Sequence, residues 1–452
     1  MSDAPSTLAI EPLQRPLCGR LCVPGSKSLT NRALLLAALA EPGANGPATT
    51  LTHALAAEDT EIMVAALRQL QIPIHWDHAQ ATIHITSTPR SAWPRQAKLF
   101  CGNSGTTLRF LAAALALGEG VFELDGIPRM RQRPIQPLLD VLQQLGVRAM
   151  SLHGNGCPPI RIESQGLSGG SVQLAGNQSS QFLSALLMAG PLAKGPITIH
   201  LAGPLVSQPY ITMTQRMVRY FSQNLPWGEN HPLAQVHVDS RVMDTLSIQP
   251  GRYFTQRLAI EPDASSASYF LAASAITGGS VTIEGLNRSS WQGDIAFADL
   301  LVQMGCRLEE TQNPPALTLH GGPLHGIDVD MNAVSDTVMT LAVAALFAQG
   351  PTTIRGVAHI RQKESDRVAA LAVELRRVGA QVAETDDGFV IEPRPLQSAT
   401  LQTYNDHRLA MAFALIGLKV PGIRIQNPGC AAKTYPTFFQ DLDKLRQSCE
   451  SR

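Results

Sequence analysis

Six times along this 452-residue chain a short polar cluster opens an Ala- and Leu-rich run, which stops at Gly or Pro-Gly and leads into a β-like stretch. The copies begin at Lys27, Asn103, Asn177, Asp263, Asp336 and Asp406, at intervals of 76, 74, 86, 73 and 70 residues. Such a period marks one supersecondary unit used repeatedly. A second helical run follows in phase, as MVAALRQLQ, PLLDVLQQLG, TMTQRMVRYF, FADLLVQMG, VAALAVELRRVG and FFQDLDKLRQ, and several of these lead into alternating stretches such as ATIHIT, PPIRIES, PALTLHG and GFVIEP. The unit therefore reads as buried helix, strand, amphipathic helix, strand, strand. Its first helix is apolar nearly all round and belongs inside, whereas the second keeps one polar side and belongs on a flank. Three units make a domain, and six make two. The stretch 221–257 departs from the repeat and reads as an insertion.

Each polar cluster sits at a helix start, where Ser, Thr, Asn and Asp are favoured as caps of free backbone N–H groups. Any single copy is ordinary capping. Several helix N-termini aimed at one region would nonetheless form an anion site, and Lys27, Arg32, Arg109 and Arg408 within the clusters strengthen that reading. Composition narrows the classes. Formal net charge is zero and aromatics are 5%, so no general nucleic-acid surface is expected. Charged residues are 16%, against a usual ~25%, so clustered charges in so apolar a chain point to a task. Seven cysteines without a Cys-x-x-Cys pair argue against a disulfide framework and against a zinc site, and fit a reducing cytoplasm. The N-terminal MSDAPSTLAIEPLQRP has no signal-peptide pattern, and no apolar run approaches the ~18 residues of a membrane span.

Four segments carry candidate chemistry. Pro24-Gly25-Ser26-Lys27-Ser28 is not a Walker loop, because the Gly residues that such a loop needs are missing. It still delivers Lys27 and Ser28 to a helix start, with Arg32 one turn on. Arg129-Met130-Arg131-Gln132-Arg133, between Pro128 and Pro134, reads as an extended segment with its guanidiniums on one face, either an anion fork or a solvated basic loop. His359 to Arg367 places Lys363 and Arg367 at i and i+4, a like-charge pair that favours an anion between them, with Glu364 as a candidate proton donor. Tyr404-Asn405-Asp406-His407-Arg408 opens the sixth helix, and Lys433 follows. Asp336 starts an apolar helix and, on position alone, reads as its cap.

The segments PGSKSLTNRALLLAALA, GNSGTTLRFLAAAL, PRMRQRPI, NQSSQFLSALLMAGPL, QPYITMT, EPDASSASYFLAA, SDTVMTLAVAALFA, IRQKESDR, YNDHRLAMAFAL and CAAKTYP, in this order over residues 20 to 440, resemble the 5-enolpyruvylshikimate-3-phosphate synthases. The resemblance implies an α/β fold of two domains, each of three βαβαββ units in an inside-out barrel. The first domain would span 25–261 and the second 1–24 plus 262–452, with the active site in the cleft between them and closure on substrate. It implies transfer of the enolpyruvyl group of phosphoenolpyruvate to the 5-hydroxyl of shikimate 3-phosphate with release of phosphate, the sixth step of the shikimate route to chorismate and the aromatic amino acids. No cofactor or metal takes part, and the partners are small molecules, with no nucleic acid and no membrane. The chain is expected to act as a cytoplasmic monomer.

By the same resemblance, Lys27, Gly105, Arg133, Gln181, Arg367, Arg408 and Lys433 would bind phosphoenolpyruvate. Lys27, Ser28, Arg32, Ser179, Ser180, Gln181, Ser207, Tyr210, Asp336, His359 and Lys363 would bind shikimate 3-phosphate. Asp336 would be the base for the hydroxyl, with Glu364 and Lys27 in proton transfer at the methylene carbon. His359 stands where many members carry Asn, so binding is expected to vary with pH near neutrality. Phe110 replaces a Pro found in some members, and Gly105 leaves room for the inhibitor glyphosate. The sister UDP-N-acetylglucosamine enolpyruvyl transferases use a reactive Cys in a loop that here, at 126–133, carries Arg and no Cys. A non-catalytic anion-binding repeat protein and an enzyme acting on nucleic-acid phosphate ends are the readings from other classes.

Overall fold

Alternating apolar and polar residues and buried Ala/Leu runs resolve into one folding pattern repeated along the chain, in a computed structural model that describes residues 6–224 and 245–450. Within the 221–257 stretch, residues 225–244 lie outside the described residues. The helices are α1 (Lys27–Leu39), α2 (Glu58–Gln69), α3 (Gly105–Leu115), α4 (Gln136–Gln144), α5 (Ser180–Ala189), α6 (Gln208–Phe221), α7 (Ala264–Thr277), α8 (Phe297–Gln303), α9 (Val338–Ala345), α10 (Arg367–Arg377), α11 (His407–Gly417) and α12 (Phe438–Glu450). None is long and apolar enough to cross a membrane.

The second repeat shows the pattern in full. Strand Gln96–Phe100 runs parallel to Glu119–Asp125, which pairs antiparallel with Ile160–Gln165, which pairs in turn with Arg148–Ser151. In chain order the sheet is therefore 1-2-4-3, with α3 and α4 in the connections. The sheet Asp328–Asp330, Thr352–Arg355, Phe389–Glu392, Gln381–Glu384 repeats it. Two further sheets keep the pattern but exchange their first strands. Cys18–Leu21 precedes α1 in sequence yet pairs parallel with Ser280–Glu284, whereas Arg257–Ala259 precedes α7 yet pairs parallel with Ala48–Thr52. The exchange divides the chain into two compact units, one of residues 1–24 and 261–452, the other of residues 25–260. Each holds three sheets among the described residues.

The odd-numbered helices are interior. Every residue of α3, α7, α9 and α11 is buried, and in the unit built on 261–452 the helices α7, α9 and α11 pack on one another. Ala and Gly allow close helix approach there, while Phe270, Leu341 and Phe413 fill the gaps, each burial stabilising by about 1.5–3 kcal/mol. The exceptions locate chemistry. In α1 the only residues not buried are Lys27 and Ser28, and in α5 the only one is Gln181.

Three local expectations are corrected. Asp336 does not cap α9, which starts at Val338; it lies in the preceding 3-10 turn, Asn332–Thr337, where its carboxylate turns to cations instead. Arg129–Arg133 is not extended, because Met130–Gln132 forms a 3-10 turn. Arg131 is thereby drawn to Asp125 at 2.5 Å and Arg129 to Gln132, leaving Arg133 as the buried guanidinium of the three. Lys363 and Arg367 share no helical face, since α10 begins at Arg367 behind the cap Asp366 and Lys363 precedes it in non-helical backbone.

Candidate active site

The residues singled out from the sequence fall into two clusters, one in each unit. In residues 25–260 the cluster is built on the N-terminal turns of α1, α3 and α5. Ser26, Ser104 and Ser179 cap these helices through their hydroxyls, and Asn31 of α1 donates to Thr106 of α3 at 2.8 Å. Arg32 is 1% exposed and held by four hydrogen bonds: it donates to Thr214 at 2.7 Å, to the Ser28 carbonyl at 2.9 Å, and to Ser184 and the Tyr210 carbonyl at 3.3 Å. Its guanidinium lies 5.2 Å from the centre of the Phe110 ring and 6.0 Å from that of Tyr210. Burial pulls its pKa down to about 10, which leaves it cationic at neutral pH. Phe110, the departure noted above, thus serves as the floor under Arg32.

Arg109, Arg133 and Gln181 crowd around Gly105. Arg109 donates to Gln181 at 2.8 Å and to the Pro134 carbonyl at 2.9 Å, while Arg133 donates to the Asn103 carbonyl at 2.8 Å. A Cβ at position 105 would stand 2.6 Å from both guanidinium ends and 3.1 Å from the Gln181 oxygen. Lys27 is 3.6 Å from Asp59, and Ser207, in left-handed backbone at φ 53°, opens α6 three residues before Tyr210. Four cations, Lys27, Arg32, Arg109 and Arg133, thus gather at these helix starts, and of them Lys27 is paired with a carboxylate, that of the buried Asp59, while the three guanidiniums donate to neutral oxygens, a balance suited to an anionic ligand.

In the other unit the cluster forms at the starts of α9, α10 and α11. The Asp336 carboxylate is 2.7 Å from Arg408, 3.4 Å from Arg367 and 3.6 Å from Lys363. The anion that the Lys363–Arg367 pair called for is thus a side chain of the protein. Arg367, 1% exposed, also donates to Glu364 at 2.8 Å and to Asp406 at 2.9 Å. Burial alone would lower its pKa, but Asp406, Glu364 and Asp336 hold it above the ordinary value. Asp406 caps α11 through the Arg408 amide and accepts from Ser365 at 3.0 Å. Lys433 is buried at the end of the 3-10 segment Pro428–Lys433, which packs on α11.

His359 corrects another expectation. Burial first, and then the charge of Lys363, push its pKa down to about 3, so the ring stays neutral through the physiological range. Between pH 3 and about 6.5 the unfolded chain binds a proton that the folded one refuses, so stability falls as pH drops through that window, by up to ~1.4 kcal/mol per unit. The unfolding midpoint of His359→Asn should therefore fall less than that of the wild type between pH 6.5 and 4.5. Parallel decline of the two would show that His359 titrates normally.

Sequence reasoning passed over Asp59, Asn103 and Asp406 as partners, since each looked like an ordinary helix or cap residue. The link of Arg109 to Gln181 joins residues 72 apart in the chain, a separation at which spacing carries no signal.

A profile of the EPSP synthase (3-phosphoshikimate 1-carboxyvinyltransferase) family matches residues 13–442. The chain belongs to the EPSP synthase family. It is 46% identical over 437 residues to the 3-phosphoshikimate 1-carboxyvinyltransferase of Nostoc punctiforme, covering 96% of this chain and 97% of the relative. With the enzyme of that name from Shewanella oneidensis it shares 44% over 441 residues, covering 97% and 99%. The solved EPSP synthase of Acinetobacter baumannii superposes with a TM-score of 0.75 at 26% identity, over 97% of this chain and 98% of that one. The expected two-domain α/β fold of the EPSP synthases is thus the fold of this chain.

Proposed function

We propose that this EPSP synthase family member transfers the enolpyruvyl group of phosphoenolpyruvate to the 5-hydroxyl of shikimate 3-phosphate and releases inorganic phosphate. The near full-length identity with the Nostoc punctiforme enzyme carries the reading. The chemistry of the two clusters supports it, since the substrates together bring two phosphates and two carboxylates. Lys27, Arg133, Gln181, Arg367, Arg408 and Lys433 take phosphoenolpyruvate, with Gly105 allowing close backbone approach. Ser28, Arg32, Ser179, Ser180, Ser207, Tyr210, His359 and Lys363 take shikimate 3-phosphate together with Lys27, Gln181 and Asp336.

In the first step a proton is added to the methylene carbon of phosphoenolpyruvate while the 5-hydroxyl oxygen attacks the neighbouring carbon, giving a tetrahedral intermediate. Asp336 accepts the hydroxyl proton. The charge of the three cations within 4 Å offsets the developing negative charge of the attacking oxygen. Glu364 and Lys27 handle the proton at carbon. In the second step the new methyl group loses a proton as the C–O bond to phosphate breaks, which re-forms the C=C double bond, now as the enol ether of shikimate 3-phosphate. His359, held neutral, contributes hydrogen bonding rather than charge. We place the reaction in a reducing cytoplasm, in keeping with seven cysteines that stand outside any disulfide, and with the chain acting as a monomer.

Purified protein mixed with both substrates should release phosphate, and with phosphoenolpyruvate and UDP-N-acetylglucosamine should not. Release only with the nucleotide sugar would move the chain to the sister activity, and release with neither would leave an anion-binding protein. The wild type should also be inhibited by glyphosate, with an inhibition constant no higher than the Michaelis constant for phosphoenolpyruvate. Gly105→Ala should raise both constants about tenfold or more, a loss of ~1.4 kcal/mol, because its methyl displaces the ends of Arg109 and Arg133. Unchanged constants would show that these side chains give way freely.

A further inference from the structure

Two of the cluster's cations, Arg408 and Lys433, stand just after unusual backbone. Tyr404 and Asn405 are consecutive left-handed residues at φ 52° and 55°, and Asn427, which opens the turn leading to Lys433, is left-handed at φ 51°. Each such residue costs up to ~1–2 kcal/mol, less for Asn, and persists only where its surroundings impose it. Here the surroundings are identifiable. Glu374, in the third turn of α10, has a side chain with no exposure at all. It accepts from the Tyr404 hydroxyl at 2.9 Å, from the Gln402 amide at 3.1 Å and from Arg377 at 2.9 Å. The Tyr404 ring, though 42% exposed, is thereby tied down. The side-chain amide oxygen of Asn405 in turn accepts from the side-chain amide of Asn427 at 3.1 Å, joining the two left-handed loops. The first turn of the same helix supplies Arg367, which grips Asp406. Helix α10 thus clamps the segment 402–406 at two points, and the Asn405–Asn427 bond joins that segment to the turn leading to Lys433.

We propose that Glu374 is a positioning residue: with Tyr404 and the Asn405–Asn427 bond, it holds the two left-handed loops that aim Arg408 and Lys433 at the anionic substrate. A carboxylate is what the place requires. One buried group must satisfy a hydroxyl, a backbone amide and a guanidinium together, and only an acceptor with two oxygens and a full charge does so. The functional part of the proposal rests on the reading of Arg408 and Lys433 as phosphoenolpyruvate ligands.

Tyr404→Phe removes one hydroxyl from a partly exposed ring and should fold normally; Glu374→Gln is the second variant. Both should raise the Michaelis constant for phosphoenolpyruvate about tenfold while that for shikimate 3-phosphate stays within twofold. Amide exchange should quicken at 404–408 and 430–433 and not in α9. Asn405→Gly, which keeps the left-handed backbone but loses the link to Asn427, should quicken exchange mainly at 430–433. Faster exchange with both Michaelis constants unchanged would overturn the positioning role, and unchanged exchange would overturn the clamp itself. Should the wild type release no phosphate, the functional reading fails, and exchange at the two loops still decides whether the clamp exists.

Discussion

Asp336→Asn should lower turnover by two orders of magnitude or more while shikimate 3-phosphate still binds. A positioned general base is worth about 10²- to 10⁴-fold. The amide keeps the shape and an acceptor for Arg408 at 2.7 Å, so the site should not collapse. The substitution also removes one negative charge from the midst of Lys363, Arg367 and Arg408, which favours anion binding rather than opposing it. The expected signature is therefore a fall in kcat without a rise in either Michaelis constant. Turnover within a factor of three of the wild type would remove Asp336 as the base and leave it as a counter-ion.

Arg367→Met should be the most damaging single change in this unit. It takes the guanidinium away from Asp406, whose side chain is wholly buried, and from Glu364, which is nearly so, and removing one partner of a buried ion pair costs about 3–5 kcal/mol. The denaturant midpoint should fall accordingly, and activity should drop below one thousandth even in protein that remains folded. Arg367→Lys keeps the charge but not the fork, and should recover stability better than activity. Pairing Arg367→Met with Asp406→Asn should restore part of the lost stability, since the Asp406 charge is then gone. If Arg367→Met unfolds at the wild-type midpoint, the buried carboxylates are satisfied by other groups.

The repeat was readable because its period, its apolar helices and its capping residues are local features. The six-fold count, the interior place of the Ala- and Leu-rich helices and the flanking place of α4, α6 and α10 all follow from spacing and side-chain type. What misled was local too. Prolines on both sides of Arg129–Arg133 suggested an extended segment, but a 3-10 turn and the Asp125 carboxylate prevailed. Asp336 looked like a cap because an apolar helix follows it. Its actual partners lie 27, 31 and 72 residues away, at distances in sequence where spacing carries no signal.

The repeated unit and the family are legible in the residues alone, and so are the side chains proposed for the substrates, because these readings rest on periodicity and on motifs held within a few residues. What those side chains do to one another came from the packing. It exchanged Cys18–Leu21 and Arg257–Ala259 between sheets, it buried His359 deeply enough to keep it neutral, and it set Asp336 among three cations. It also brought Glu374 under the loops that carry Arg408 and Lys433. The physical reason is that charge, burial and hydrogen-bond satisfaction depend on distance in space, and the chain sets that distance only once its helices and sheets have packed.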